Sequence, residues 1–321
     1  MTMEIIKPQV LQTGDRIGIV TPSGPVVAHR KYLEEGIKNL EDMGFKVVLG
    51  KHVFEKKGYM AGSDEERAED LNNMFKDPDI KAILCSRGGE VAMRLLPLID
   101  YGLIQQNPKI FLGMSDITVL LNAIHTKTGL VTFHGPSTAW GINCSPWGCK
   151  GMEPYSKAYF LKALTHNEPI GKIEPKTKWH VYRNGKARGR LLGGNLDSIE
   201  KISGTEYEPD WRGAILFFEE LDESVEEMDR DLMPLKLRGV LGKISGMVIG
   251  HLEDCIENEK EEKEFEEMVK EITKEYDFPI LKMEEFGHHE INITLPLGIE
   301  VEINGDEFSL LESAVTGGGL L

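Results

Sequence analysis

Ile110-Phe111-Leu112-Gly113-Met114-Ser115-Asp116-Ile117 opens as a short apolar run, stops at a glycine and passes through small polar residues into a second apolar stretch. A run this short, with no polar alternation, reads as a strand buried on both faces. The stretch from about Ile117 to Thr128 reads as the helix that follows it. The pattern repeats outward in both directions. Upstream, Arg16 to Thr21 reads as a strand emptying into the breaker cluster Pro22-Ser23-Gly24-Pro25. A helix from about Arg30 to Met43 follows, with Leu33, Ile37 and Leu40 on one face and Gly44 as its stop. Phe45 to Leu49 is the next strand, and Ser63 with Glu66 forms a capping box for a helix through about Phe75. Ile80 to Cys85 and Val131 to His134 complete the strand set. Alternating strands and helices of this kind define an α/β fold with a doubly wound parallel sheet.

The rhythm breaks between Trp140 and Gly189, where glycines, prolines and tryptophans surround one expected helix near Ser156 to Leu164. This places a first domain at residues 1–165, a linker at 166–188 and a second domain at 189–321. In the second half, strands are expected near Ala214 to Phe218 and Ile244 to Gly250, with a helix from about Val225 to Leu235. The charged segment Asn258 to Tyr276 keeps Phe265, Met268, Val269, Ile272 and Tyr276 at helical spacing. Asn304-Gly305, flanked by Gly298 to Ile303 and Glu307 to Leu311, predicts a β-hairpin.

Composition narrows the function. The 321 residues carry 37 Lys+Arg against 53 Asp+Glu, a net charge of −16 that repels phosphate backbones, so nucleic acid is not an expected partner. Met1 to Val10 lacks a basic segment leading into an apolar run, and no stretch approaches the ~18 apolar residues of a spanning helix. A soluble, cytoplasmic chain without membrane partners is expected. The four cysteines, Cys85, Cys144, Cys149 and Cys255, are too scattered for a disulfide framework. Cys144 and Cys149 have no third ligand at metal-binding spacing, so no metal and no cofactor are expected.

In an open parallel sheet, ligands bind beyond the carboxyl ends of the strands, so the residues after each strand carry the chemistry. Three such turns stand out: Ser86-Arg87-Gly88-Gly89, Met114-Ser115-Asp116 and His134-Gly135-Pro136. Ser115, between strand and helix, is placed as a nucleophile at an elbow, or alternatively Ser115 or Asp116 serves as a helix N-cap. Gly88-Gly89 lets backbone approach a ligand closely and can aim an N–H at an oxyanion. A serine nucleophile needs a base and an orienting acid. Glu219 and Glu220 follow the apolar run Ile215 to Phe218, and His288-His289 follow Phe286-Gly287, while His134 and His251 remain rival bases. Trp140 and Trp147 lie where an aromatic could stack on a nucleobase or simply pack the loop.

Taken together, these segments resemble the LD-carboxypeptidase family of serine peptidases. The resemblance rests on Gly14 to Ser23, Arg87-Gly88-Gly89, Gly113 to Thr118, His134-Gly135-Pro136, Leu192 to Leu196, Ile215 to Glu220, Gly287-His288 and Leu295 to Gly298, in the family's order. It implies a flavodoxin-like first domain and a smaller carboxy-terminal β/α domain of the swivelling type, in a homodimer. Carried over by motif, Ser115 is the nucleophile, His288 the base and Glu219 the orienting carboxylate. The N–H groups of Gly89 and Asp116 form the oxyanion hole, and Arg87, Gly88 and Asn195 bind substrate. The implied reaction releases D-alanine from a murein tetrapeptide. The microcin C immunity branch instead cuts an amide joining an acidic residue to a modified nucleotide. Glu90 and Val91 replace the Tyr-Gly usual after Arg-Gly-Gly in the murein enzymes, and Leu96 to Tyr101, Tyr207 to Asp210 and Asp229 to Leu232 look more like the immunity branch. A non-catalytic two-domain ligand-binding protein is the alternative from another class.

Overall fold

The computed structural model describes residues 4–143 and 151–317. Cys144, Trp147 and Cys149 lie outside them. In the first half, strands β1 (Arg16–Val20), β2 (Lys46–Leu49), β3 (Ile80–Cys85), β4 (Ile110–Gly113) and β5 (Thr132–His134) pair in the order β5-β4-β3-β1-β2, all parallel. This is the flavodoxin-like order. Helices α1 (Arg30–Asp42), α2 (Asp64–Lys76), α3 (Tyr101–Gln106), α4 (Thr118–Thr128) and α5 (Pro154–Thr165) connect or follow them. The capping box at α2 forms as expected, Ser63 Oγ accepting from the Glu66 N–H while the Glu66 carboxylate takes the Ser63 N–H.

The second half builds a mixed sheet of eight strands. These are β6 (Gly171–Lys172), β7 (His180–Arg183), β8 (Lys186–Asn195), β9 (Ile215–Leu221), β10 (Gly246–Glu253), β11 (Ile280–Lys282), β13 (Glu300–Asn304) and β14 (Glu307–Leu310), with β12 (Leu295–Leu297) set apart. The order is β6-β14-β13-β8-β9-β10-β11-β7, parallel from β8 to β11 and antiparallel at both edges. Helices α6 (Leu196–Glu200), α7 (Val225–Leu237) and α8 (Glu259–Ile272) accompany it. The chain thus has a two-domain α/β fold.

Three features depart from the sequence reading. Residues 166–188, read as a linker, hold β6 and β7, edge strands of the second sheet. Lys186–Asn195 is a ten-residue strand in which Gly189 and Gly193 stand so close to the carbonyls of Gly213 and Phe217 that any Cβ would overlap them. Finally, β12 leaves the second half and pairs antiparallel with β5, so the later chain supplies the sixth strand of the first sheet.

The strand β9 lies between two cores. Ile215 and Phe217 belong to a large core shared with the first sheet, whereas Leu216 and Phe218 pack in a second core with Leu232 of α7 and Phe265 of α8. Helix α4 is buried almost all round because it packs on β4 and β5 and also on β8 and α6. Asn122 donates to the Gly193 carbonyl at 2.9 Å, and Thr118 Oγ1 accepts from the Asn195 N–H at 3.0 Å, joining this helix to β8. The domain junction is therefore also the crevice beyond β4.

Candidate active site

Ser115 stands two residues past β4, after Met114, and opens a single 3₁₀ turn, Ser115–Ile117, that leads into α4. Its φ is +62°, a left-handed conformation that costs a non-glycine residue about 1–3 kcal/mol. Surrounding packing holds it there. No side-chain cap closes either the turn or α4, so the N-cap role considered for Ser115 or Asp116 is not what these residues do. The Asp116 carboxylate instead accepts from Ser23 Oγ at 2.5 Å and from the Ala92 N–H at 2.7 Å. Ser23 Oγ in turn accepts from the Val91 N–H at 3.2 Å, which ties the Arg87-Gly88-Gly89 turn to the elbow.

Both glycines of that turn are dictated by space. A Cβ on Gly88 would stand 2.7 Å from Ser115 Oγ, and one on Gly89 would meet Gly24 N and Ser23 Oγ at 2.5 Å. Arg87, Gly88, Gly89, Ser115, Trp140 and His288 line one cavity of about 350 Å³. That size suits a small molecule or the end of a peptide. The Arg87 guanidinium lies over the Trp140 ring at 4.6 Å, and His29 packs beside the same ring with centroids 4.7 Å apart.

Glu219 lies within β9 rather than in the turn after it, and is wholly buried on the Ile215 and Phe217 face. His288 Nδ1–H donates to Glu219 Oε2 at 2.6 Å. Burial alone would push the Glu219 carboxyl up, but the neighbouring His288 and His134 rings outweigh it and hold the group well below the carboxylate range. For His288, burial pushes the ring down; Glu219, then Glu220 and Glu253, push it up further, and the net shift is upward. This is the pattern of an imidazole poised beside an ionised carboxylate.

The loop that carries His288 is held from both ends. Glu285, fully buried, accepts from the N–H groups of Lys176 and Thr177, each at 2.8 Å, and from Trp179 Nε1 at 2.6 Å. Gly287 adopts φ +128°, and a Cβ there would press on Glu219 at 3.1 Å. Asn292 accepts from the Gly287 N–H and reaches Met114 Sδ at 3.2 Å, linking this loop to the residue before Ser115. Sequence reasoning missed Glu285 and Asn292, since a loop-bracing role leaves no local pattern. It also missed Lys201, whose ammonium lies 3.7 Å from Asp116, 3.0 Å from Glu90 and 2.7 Å from Asp197.

The remaining expected residues fall elsewhere. Asn195 is buried beside Glu220 rather than on the cavity wall: its amide donates to Glu220 at 2.6 Å, while its oxygen caps α6 through the Ser198 N–H. His134 is wholly buried against Glu219. His251 joins a cluster with Glu253 and His289 whose ligand-type atoms lie within 4.8 Å of one another, an arrangement that sequence spacing did not reveal. His251 Nε2 is 2.7 Å from Glu253 and Nδ1 is 3.6 Å from Glu284, which places this ring between two carboxylates. Cys85 and Cys255 are buried free thiols. Among the described residues, no helix is long and apolar enough to cross a membrane.

The sequence matches the family model of the LD-carboxypeptidase N-terminal domain over residues 17–135 and that of the C-terminal domain over residues 188–303. It is 35% identical over 324 residues to a probable murein peptide carboxypeptidase of Bacillus subtilis, covering 98% of this chain and 97% of the relative. It is also 32% identical to the microcin C7 self-immunity protein MccF of Escherichia coli, covering 92% of each. A solved structure of MccF in complex with aspartyl sulfamoyl adenosine superposes with a TM-score of 0.87 at 31% identity, covering 97% of this chain and 100% of that one. This chain belongs to the LD-carboxypeptidase family. It is a serine peptidase of that type.

Proposed function

We propose that the protein hydrolyses the amide bond to the terminal D-residue of a murein peptide, with Ser115 as nucleophile, His288 as base and Glu219 as the carboxylate that orients it. The observation that carries this reading is a shared cavity lined by Ser115, His288 and Arg87, with Glu219 bonded behind His288 at 2.6 Å. His288 Nε2 takes the Ser115 proton as Oγ attacks the carbonyl carbon, and the N–H groups of Gly89 and Asp116 receive the oxyanion. His288 then protonates the leaving amine, and a water molecule, deprotonated by the same ring, releases the acyl group. The half-buried Arg87 supplies the cation for the carboxylate of the leaving residue.

Trp140 supports the peptide reading over a nucleotide one. Arg87 covers its ring and His29 flanks it, so the Trp140 surface on which a nucleobase could stack is already engaged. The likeness to MccF supports the second reading, cleavage of an aminoacyl nucleotide. Proposals of a cytoplasmic location and a homodimer follow the same family resemblance. The deciding experiment incubates wild type and Ser115→Ala with a murein tetrapeptide and, separately, with aspartyl sulfamoyl adenosine, and weighs the products. Release of D-alanine by wild type alone supports the proposal; turnover of the nucleotide only would replace it with the second reading.

A further inference from the structure

His134 closes β5, next to the strand that delivers Ser115, and its residue pairs across the ladders with Gly113 on one side and Leu295 on the other. Its side chain is 0% exposed, so it cannot touch substrate or act as the base. The ring stands edge-on to Phe217, with centroids 5.5 Å apart, and to Phe286, at 6.4 Å. On the polar side of the ring, Nε2 lies 3.6 Å from Glu219 Oε1.

Among the described residues, neither nitrogen of His134 has a hydrogen-bond partner, and neither does Glu219 Oε1, although all three atoms are buried. Buried polar groups left unpaired are costly, and here two of them face each other within half an ångström of bonding distance. The other oxygen of the same carboxylate already serves His288. We propose that His134 is a positioning residue for the reaction: its Nε2–H holds Glu219 Oε1, so that one buried carboxylate spans two imidazoles and presents Oε2 to His288 in a fixed plane. This rests on the reading of Ser115, His288 and Glu219 as one catalytic unit.

Two consequences follow from the bond. Donation to Oε1 draws electron density from the carboxylate, which moderates its pull on the His288 proton. It also keeps Glu219 ionised where burial favours the neutral acid; the Glu219 carboxyl is held low, in keeping with this. His288 faces Glu219 directly; Glu220 on β9 and Glu253 on β10 act on His288 through their charge, and the Cys255 thiol lies within reach of the Glu219 and Glu220 charges. All of them persist when only His134 is changed.

The test needs no substrate. The rate at which a fluorophosphonate probe labels Ser115 is measured against pH in the full chain for wild type, His134→Leu and His134→Gln. A glutamine amide can occupy the place of Nε2–H, whereas leucine fills the space without donating. Leucine should slow labelling by roughly 10- to 100-fold, the size of a lost hydrogen bond to a charged group. It should also move the acid limb to higher pH, and glutamine should return that limb toward wild type. Equal slowing in both variants with an unmoved limb would show a packing role only and overturn the proposal. Should the leucine variant fail to fold, nitrogen-15 NMR of wild type decides alone: His134 must carry its proton on Nε2, and a bare Nε2 overturns the proposal. Absence of Ser115 labelling in wild type would instead sink the catalytic reading, while the NMR result would still establish whether His134 holds Glu219.

Discussion

Glu219 and Glu220 are adjacent in β9 and serve opposite faces of one sheet. Glu219 meets His288 Nδ1 at 2.6 Å, on the side that faces the first domain. Glu220 accepts from the Asn195 amide at 2.6 Å and from the N–H groups of Asp197 and Leu221, each at 2.9 Å. Strand alternation sends the two carboxylates apart, and their environments then separate their proton affinities. Histidines hold Glu219 low against the push of burial, whereas burial first, and the Glu219 charge second, push Glu220 up to about 7.

Glu219→Gln should therefore cost about 10²- to 10⁴-fold in kcat/KM, because a neutral amide cannot hold His288 in the required tautomer or stabilise the imidazolium. Glu220→Gln keeps a carbonyl oxygen for the Asn195 amide and the Leu221 N–H but turns a donor toward the Asp197 N–H; because none of these groups touches the reacting atoms, it should cost less than about 10-fold. Steady-state kinetics on the two variants give the order; the reverse order would assign the orienting role to Glu220.

Ser115→Ala should lower kcat/KM by at least about 10³-fold while the thermal midpoint holds or rises slightly. Removing one small hydroxyl opens no core cavity, since Ser115 sits on the cavity wall. Substrate binding measured by calorimetry should persist. Retention of more than a few per cent of the wild-type rate would exclude Ser115 as nucleophile.

Gly88→Ala tests the close approach of the two turns. Its Cβ would stand 2.7 Å from Ser115 Oγ, so the serine must rotate or the turn must shift. A misplacement near 1 Å at a reacting atom costs on the order of 10²-fold in rate. Fluorophosphonate labelling should slow by that factor with little change in the unfolding midpoint; unchanged labelling would show that the turn yields freely.

The pH profile follows from the sign of the His288 shift. The base must be neutral to take the serine proton, and its pKa is raised, so the ring keeps its own proton to higher pH than an ordinary histidine at about 6.5. Activity should climb with pH through a midpoint above that value and fall as pH drops through it. Glu220→Gln removes one nearby anion and should lower the midpoint. A kcat/KM profile from pH 5 to 9 checks both, and a wild-type midpoint below about 6 contradicts the assignment.

Chelation tests the cluster of His251, Glu253 and His289. Burial pushes His251 down, but Glu284 and Glu253 raise it on balance, as fits a cation seated between carboxylates. Dialysis against a strong chelator should leave kcat/KM unchanged. Loss of activity restored by zinc would make the cluster a functional metal site.

Much of this architecture is written in local sequence. The run Ile215 to Phe218, apolar at every position, announces a strand buried on both faces, and Ser63 with Glu66 marks the start of α2 because a capping box needs only residues three apart. Gly113 to Thr118 and Arg87 to Gly89 identify the two turns because strand, breaker and helix are contiguous. The same doubly buried run conceals which of Glu219 and Glu220 faces the crevice, since hydrophobicity is equal on both sides. Only the tertiary structure decides it, by packing Phe217 in the core shared with the first sheet and Phe218 against α7 and α8. Strand β8 escaped the sequence reading for a related reason. Its glycines weaken any local strand signal, and one of its two partners lies far along the chain, Arg188 opposite Glu302 in β13. The pairing of β12 with β5 and the placing of His134 on Glu219 are decided in the same way, by contacts between segments more than 80 residues apart whose free energy no local window contains.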